Sequence, residues 1–153
     1  ASQNKAKAFL YGAGIDATIR ATEALSLFAS MHYTYGRFSN DSSITPLDHI
    51  PPVLGKIGIR YAETHWYSEL YSIYNGAKKL NNYNLGGEDN LQYATPNGMP
   101  SWYTINIKAG YTFMEHYQLQ AGIENILDKN YRVFASGMSA SGRNFMLAFR
   151  YRF

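Results

Sequence analysis

The chain has 153 residues, no cysteine, 14 tyrosines, 8 phenylalanines and a formal charge of +3. The lack of cysteine excludes disulfides and thiolate metal sites, and the scattered basic residues form no dense Lys/Arg block of the kind that binds nucleic acid. Mean hydropathy is -0.33, and no apolar run approaches the roughly 18 residues of a transmembrane helix; that average does not exclude a membrane wall whose residues alternate between lipid and water.

Residues 1–7 carry no apolar signal core, and the chain is expected to begin partway through a larger architecture. Period-two alternation then starts at once. Over about 6–20, Phe9, Tyr11, Ala13, Ile15, Ala17 and Ile19 share one face, and Gly12, Gly14, Asp16, Thr18 and Arg20 share the other. Over about 25–38, Leu25, Leu27, Ala29, Met31, Tyr33 and Tyr35 oppose Ser26, Ser30, His32, Thr34 and Gly36, with Phe28 interrupting the polar face. A third run, about 53–62, sets Val53, Ile57, Ile59 and Tyr61 against Lys56, Gly58 and Arg60. The fourth, about 65–75, is apolar on parts of both faces: Trp66, Leu70 and Tyr74 oppose Glu69 but also Tyr67, Tyr71 and Ile73.

The later runs are cleaner. Over about 102–113, Tyr103, Ile105, Ile107, Ala109, Tyr111 and Phe113 oppose Thr104, Asn106, Lys108, Gly110 and Thr112. Over about 117–127, Tyr117, Leu119, Ala121 and Ile123 oppose Gln118, Gln120, Gly122 and Glu124. The final strand sets Phe145, Leu147, Phe149, Tyr151 and Phe153 against Asn144, Met146, Ala148, Arg150 and Arg152.

The connections sort by length. Those at 21–24, 63–64 and 114–116 are tight; those at about 39–52, 76–101 and 128–142 are long and polar. Strict interleaving puts every tight turn at one end of an antiparallel sheet and every long loop at the other, as in outer-membrane barrels. Tyr61, Phe113, Tyr117 and Phe153 fall near the tight end, and Tyr33, Tyr35, Tyr74, Trp102 and Tyr103 near the long-loop end, matching two interfacial aromatic belts. Seven strands cannot close an even-numbered barrel, and an open edge is untenable in lipid. The expected fold is therefore all-β: an antiparallel transmembrane β-barrel segment of about seven strands from a larger barrel.

No catalytic constellation stands out, and no enzymatic activity is expected. His32, His49, His65 and His116 lack metal-ligand spacing; His32 reads as a polar lumen residue. Gly12-Ala13-Gly14 lies within a strand and lacks the third glycine and helix of a nucleotide loop, and no Gly-x-Ser-x-Gly elbow is present. At the exit of the sixth strand, Asn125 and Asp128 suit hydrogen bonds to local backbone, and Arg143 is expected to return at the same level and pair with Asp128.

The stretch Glu124-Asn-Ile-Leu-Asp-Lys-Asn-Tyr131, followed by Gly142-Arg143 and a strand ending at Phe153, resembles the C-terminal end of TonB-dependent outer-membrane receptors. Ile50-Pro51-Pro52 before a strand, then Tyr61, Trp66 and Leu70, is similar to the preceding hairpins of that family. The resemblance implies a barrel of about 22 strands closed around an N-terminal plug. Residues 1–153 would then be the C-terminal portion of that barrel, without the plug. It further implies a location in the outer membrane of a Gram-negative bacterium and uptake of a ferric siderophore or similar chelate, with no cofactor. The TonB complex would act through the plug-bearing part, and lipid, lipopolysaccharide and the barrel assembly machinery would be the other partners. The assembly signal would be Phe149, Tyr151 and Phe153. Ligand contacts are expected in the long loops, at Lys78, Lys79, Tyr83, Trp102, Tyr131, Arg132 and Arg143, because Arg, Lys and Tyr suit an anionic or aromatic chelate; Glu88 and Asp89 share the longest loop. A passive porin, an adhesin or a soluble all-β module are the competing readings.

Overall fold

The computed structural model describes residues 7–40, 43–84, 87 and 89–153. The strands are β1 (Lys7–Arg20), β2 (Leu25–Ser39), β3 (Ile44–Pro46), β4 (Leu54–Ala62), β5 (Trp66–Asn75), β6 (Trp102–Phe113), β7 (Tyr117–Glu124) and β8 (Asn144–Tyr151). They form one antiparallel sheet in the order β1-β2-β4-β5-β6-β7-β8, with short β3 paired to β2 off that path. The seven alternating runs are thus the seven meander strands, each beside its sequence neighbour.

The register aligns the two faces across the whole sheet. Ile15 pairs with Met31, Leu27 with Ile59, Leu70 with Ile107, Ile107 with Ile123 and Ile123 with Phe145. Ile15, Ile57 and Leu147 on this face are 62%, 64% and 74% exposed. Every Asp, Glu, Lys or Arg within the strands lies on the opposite face except Lys7 and Arg37, both at the long-loop end. A soluble domain of this size would bury large apolar side chains. Among the described residues the buried large apolar side chains are Tyr71, Tyr83, Met99 and Trp102, whereas Glu69, Asn75, Lys78, Asp89, Thr104, Asn106 and Asn125 are buried polar groups. This inside-out distribution fits a wall with hydrocarbon on one side and a polar lumen on the other.

The register also settles the fourth run. Glu69, Tyr71 and Asn75 are buried on the lumen face, and Trp66, Leu70 and Tyr74 look outward at 43%, 47% and 46% exposure. Phe28, which interrupted the polar face, lies over Gly58, where an added Cβ would stand 2.3 Å from its ring. Tyr67 covers Gly110 in the same way. The glycines leave room for inward aromatics to lie flat on the wall.

Aromatic pairs border the outward face. Near the tight turns, Tyr61 meets Trp66 at 5.2 Å, Phe113 meets Tyr117 at 5.2 Å and Tyr117 meets Tyr151 at 5.1 Å. At the other end Tyr35 contacts Tyr11 at 5.1 Å and Phe9 at 6.1 Å. Trp102 does not belong to this belt. It shares the face of Thr104 and Asn106, is 9% exposed, and packs against the ring of loop residue Tyr131 instead; its neighbour Tyr103 is the outward residue, one position along the strand.

Two boundaries differ from the sequence expectation. The first long loop contains β3, whose three residues, one of them proline, are too few to show alternation. The sixth run stops at Glu124, because Asn125 turns into the left-handed region with φ 49.

Candidate functional site

Two clusters organise the lumen side of the wall. The first is mid-sheet. Glu69, 5% exposed, is reached by Lys108 Nζ at 3.1 Å, Arg60 Nη1 at 3.2 Å and Lys56 Nζ at 3.6 Å. The register puts Arg60 and Lys108 directly opposite Glu69 on the two flanking strands. Lys56 and Arg60 also lie over the Tyr71 and Tyr67 rings at 4.4 and 4.1 Å. One buried carboxylate thus neutralises part of a cationic cluster that joins three strands. Nearby, the Gln120 amide donates to the Tyr67 hydroxyl at 2.6 Å.

The second cluster joins the long loops. Lys78 and Asp89 are 4% and 1% exposed and form an ion pair at 2.9 Å. The Lys78 ammonium also donates to the Ile50 carbonyl at 2.8 Å, and the other Asp89 oxygen accepts from the His49 N–H at 2.8 Å. Phe134 and Tyr83 face the same ammonium at 4.0 and 5.0 Å. Segments from all three long loops therefore converge on one lysine. Burial draws the Lys78 pKa below the ordinary lysine value, against the opposing hydrogen bond and charge of Asp89. Burial, then Asp89, raises that of Tyr83.

The last loop is tied down by the residues expected to shape the strand exit. The Asn125 side chain donates to the Lys129 carbonyl at 2.8 Å and accepts from the Lys129 N–H at 2.9 Å, while its own N–H donates to Asn106 Oδ1 at 2.9 Å. Asp128 and Arg143 do meet, but not through the guanidinium. Asp128 Oδ1 accepts from the Arg143 backbone N–H at 2.8 Å, and Arg143 Nε donates to the Ile126 carbonyl at 3.0 Å. The left-handed Asp128, φ 53, turns its short carboxylate toward the returning backbone, and Gly142 has no Cβ to block it. Asn125→Ala should cost about 1 kcal/mol, since it removes the side-chain partner of the Lys129 N–H and carbonyl in part-buried bonds. A lowered unfolding temperature of the detergent-solubilised protein would show this.

Between these anchors lies a cavity of about 450 Å³. Of the expected ligand residues, Tyr83, Trp102, Tyr131 and Arg132 line it. Trp102 and Tyr131 face each other with ring centroids 4.1 Å apart, and the buried Trp102 indole N–H has no acceptor within the protein. Arg132 donates to the Tyr93 carbonyl at 3.0 Å. The other three lie elsewhere. Lys78 is consumed in the loop junction, Lys79 is exposed beside the 80–82 turn, and Arg143 braces the base of the last loop. Glu88 lies outside the described residues. Sequence reasoning missed Asn90, Tyr93, Met99 and Lys129, which also line it; aperiodic loop residues carry no signal of which way they face. Among the described residues no group of three or more His, Cys, Asp or Glu is arranged to hold a metal ion.

Comparison with known proteins agrees with this architecture. Residues 2–126 match the family model described as TonB dependent receptor-like, beta-barrel, and the chain belongs to that family. It is a stretch of outer-membrane β-barrel wall. The solved structure of "Copper transporter OprC" shares the fold, with a TM-score of 0.80 over 95% of this chain at 21% identity. The match spans 24% of that chain, so this chain corresponds to about a quarter of its length. No curated protein matches the sequence.

Proposed function

We propose that this chain supplies C-terminal barrel wall and extracellular ligand loops to a receptor that imports a metal chelate across the outer membrane, driven by the TonB complex. The observation that carries this reading is the convergence of Tyr83, Trp102, Tyr131 and Arg132 on one cavity between the two longest loops. Arg132 and Lys129 make its lining cationic, because its one acidic residue among those described, Asp89, is already paired with Lys78. Paired aromatics beside unopposed cations suit an anionic ligand with planar groups. A ferric siderophore has that chemistry; the likeness to a copper transporter adds copper chelates to the candidates. On the same reading, the plug and the TonB contact belong to another part of the protein, and the aromatic row Phe149, Tyr151 and Phe153 is what the barrel assembly machinery recognises.

The test is uptake of radiolabelled ferric siderophores and copper chelates by cells expressing the full-length receptor. Import that requires the proton gradient is the expected result; gradient-independent diffusion would sink the proposal. Trp102→Ala and Arg132→Ala should each weaken ligand binding about tenfold, the equivalent of roughly 1.4 kcal/mol. Unchanged affinity in both would remove this cavity as the binding site.

A further inference from the structure

The Ile50-Pro51-Pro52 motif has a structural consequence on the membrane side. Proline has no N–H and cannot donate to a strand ladder. The β2–β4 ladder accordingly runs only as far as the His32–Leu54 pair, and the β2–β3 ladder covers only Arg37 to Ser39. Among the described residues, 33–36 of β2 have no strand partner on that side; one backbone hydrogen bond, from the Leu47 N–H to the Gly36 carbonyl at 3.3 Å, reaches this stretch. The wall is therefore interrupted, and a cleft of about 420 Å³ occupies the gap. Its volume lies within the roughly 300–1,000 Å³ of small-molecule sites.

The lining combines outward β2 residues, apolar residues of the Pro51-Pro52 segment, and Thr34, Ala77, Lys78 and Asn82 on the inner side, where Lys78 is already paired with Asp89. Met31 and Tyr33 belong to the outward row and are 52% and 44% exposed, so the cleft is continuous with the lipid-facing surface. Ile50, Pro52 and Val53 form the apolar wall across from them. At the upper rim the Arg37 guanidinium lies 4.4 Å over the Tyr35 ring. It is fixed there by bonds to Asn82 Oδ1 at 2.8 Å and the Gly36 carbonyl at 3.1 Å. Arg37 is the cation at the outer end of this strand's lipid-facing row, and no carboxylate pairs with it among the described residues. A planar, pre-set guanidinium above an apolar slot at the aromatic belt is built for an anionic head and a hydrocarbon tail.

We propose that this cleft seats one membrane amphiphile with an anionic headgroup. The headgroup oxygens accept from Arg37 and the tail lies against Met31, Tyr33, Pro52 and Val53. Continuity with the lipid face selects a lipid over a peptide, and the charge of Arg37 selects an anionic headgroup over a zwitterionic one. The site is separate from the ligand cavity and does not depend on what the receptor imports.

The experiment is native mass spectrometry of the full-length receptor in detergent micelles, titrated with dioleoylphosphatidylglycerol or dioleoylphosphatidylcholine. A single phosphatidylglycerol adduct is expected, at least tenfold tighter than phosphatidylcholine. Arg37→Gln should lose roughly tenfold in affinity for the anionic lipid, the value of one charged hydrogen bond, whereas Lys7→Gln, at the same end of the lipid face, should lose none. Val53→Phe, which fills the slot, should weaken both lipids while the folded barrel is verified by heat-modifiable migration on a gel. Equal binding of the two lipids, an unchanged Arg37→Gln variant, or full displacement by millimolar inorganic phosphate would each overturn the proposal.

Discussion

Lys78→Ala should release the long loops while leaving the barrel wall folded. The substitution leaves the Asp89 carboxylate buried and, among the described residues, held by the His49 N–H alone. Removing one partner of a buried pair costs about 3–5 kcal/mol, enough to unlatch loops that otherwise meet at this residue. Hydrogen exchange should rise in residues 44–53 and 76–84 and stay unchanged in β6 and β7. The double change Lys78→Met/Asp89→Leu removes both charges together and should restore most of the protection. Equal exchange in wild type and Lys78→Ala would show that the loops are held by other contacts.

The pH dependence follows from the same burial. Lys78 has a folded-state pKa below its ordinary value of 10.5, so the released loop binds the proton more tightly than the latched one. The latch therefore gains stability as pH rises through the window between the lowered folded value and the ordinary one. Lys78→Met should abolish that slope. A latch that weakens with rising pH in this window would mean that Asp89 outweighs burial.

Ile107→Arg should destabilise the wall by about 2–4 kcal/mol, the cost of an arginine on the lipid face near mid-membrane. Ile107 lies at the middle of β6 on the outward face and is 40% exposed. Gln120→Arg, on the lumen face of the adjacent strand, should cost little by comparison, since water and polar groups receive the charge. Denaturant unfolding in phospholipid vesicles distinguishes the two. Similar losses at both positions would contradict the assignment of faces; so would a soluble, lipid-independent fold.

Much of this was legible in the chain itself because a β-strand repeats every two residues. Ile15, Leu27, Ile59, Ile107 and Leu147 each declare a face locally, and the sheet has only to keep them in register. Asn125 and Asp128 were readable for a similar reason: their short side chains bond to backbone a few residues away. β3 was not readable, since three residues carry no period. The sequence places Asp128 and Arg143 at one level, but the bond runs through the Arg143 backbone N–H, because sequence does not say whether backbone or guanidinium arrives first.

The candidate site divides along the same line. Tyr83, Trp102, Tyr131 and Arg132 have side chains suited to a chelate, and the loop fold brings them to one cavity. Lys78 and Arg143 have the same chemistry but are committed to holding loops in place. Residue type states what a side chain can bind; it does not state what has already bound it.

By itself the sequence determined the strand number of the meander, the two faces, the sorting of turns and loops, and the family. These depend on local periodicity and on short-range hydrogen bonding. Only the tertiary structure decided that Trp102 faces inward, that Lys78 latches three loops, that Glu69 gathers three cations, and that the Pro51-Pro52 break opens a cleft toward lipid. Each of these depends on segments far apart in the chain reaching one point, and no local pattern records that meeting.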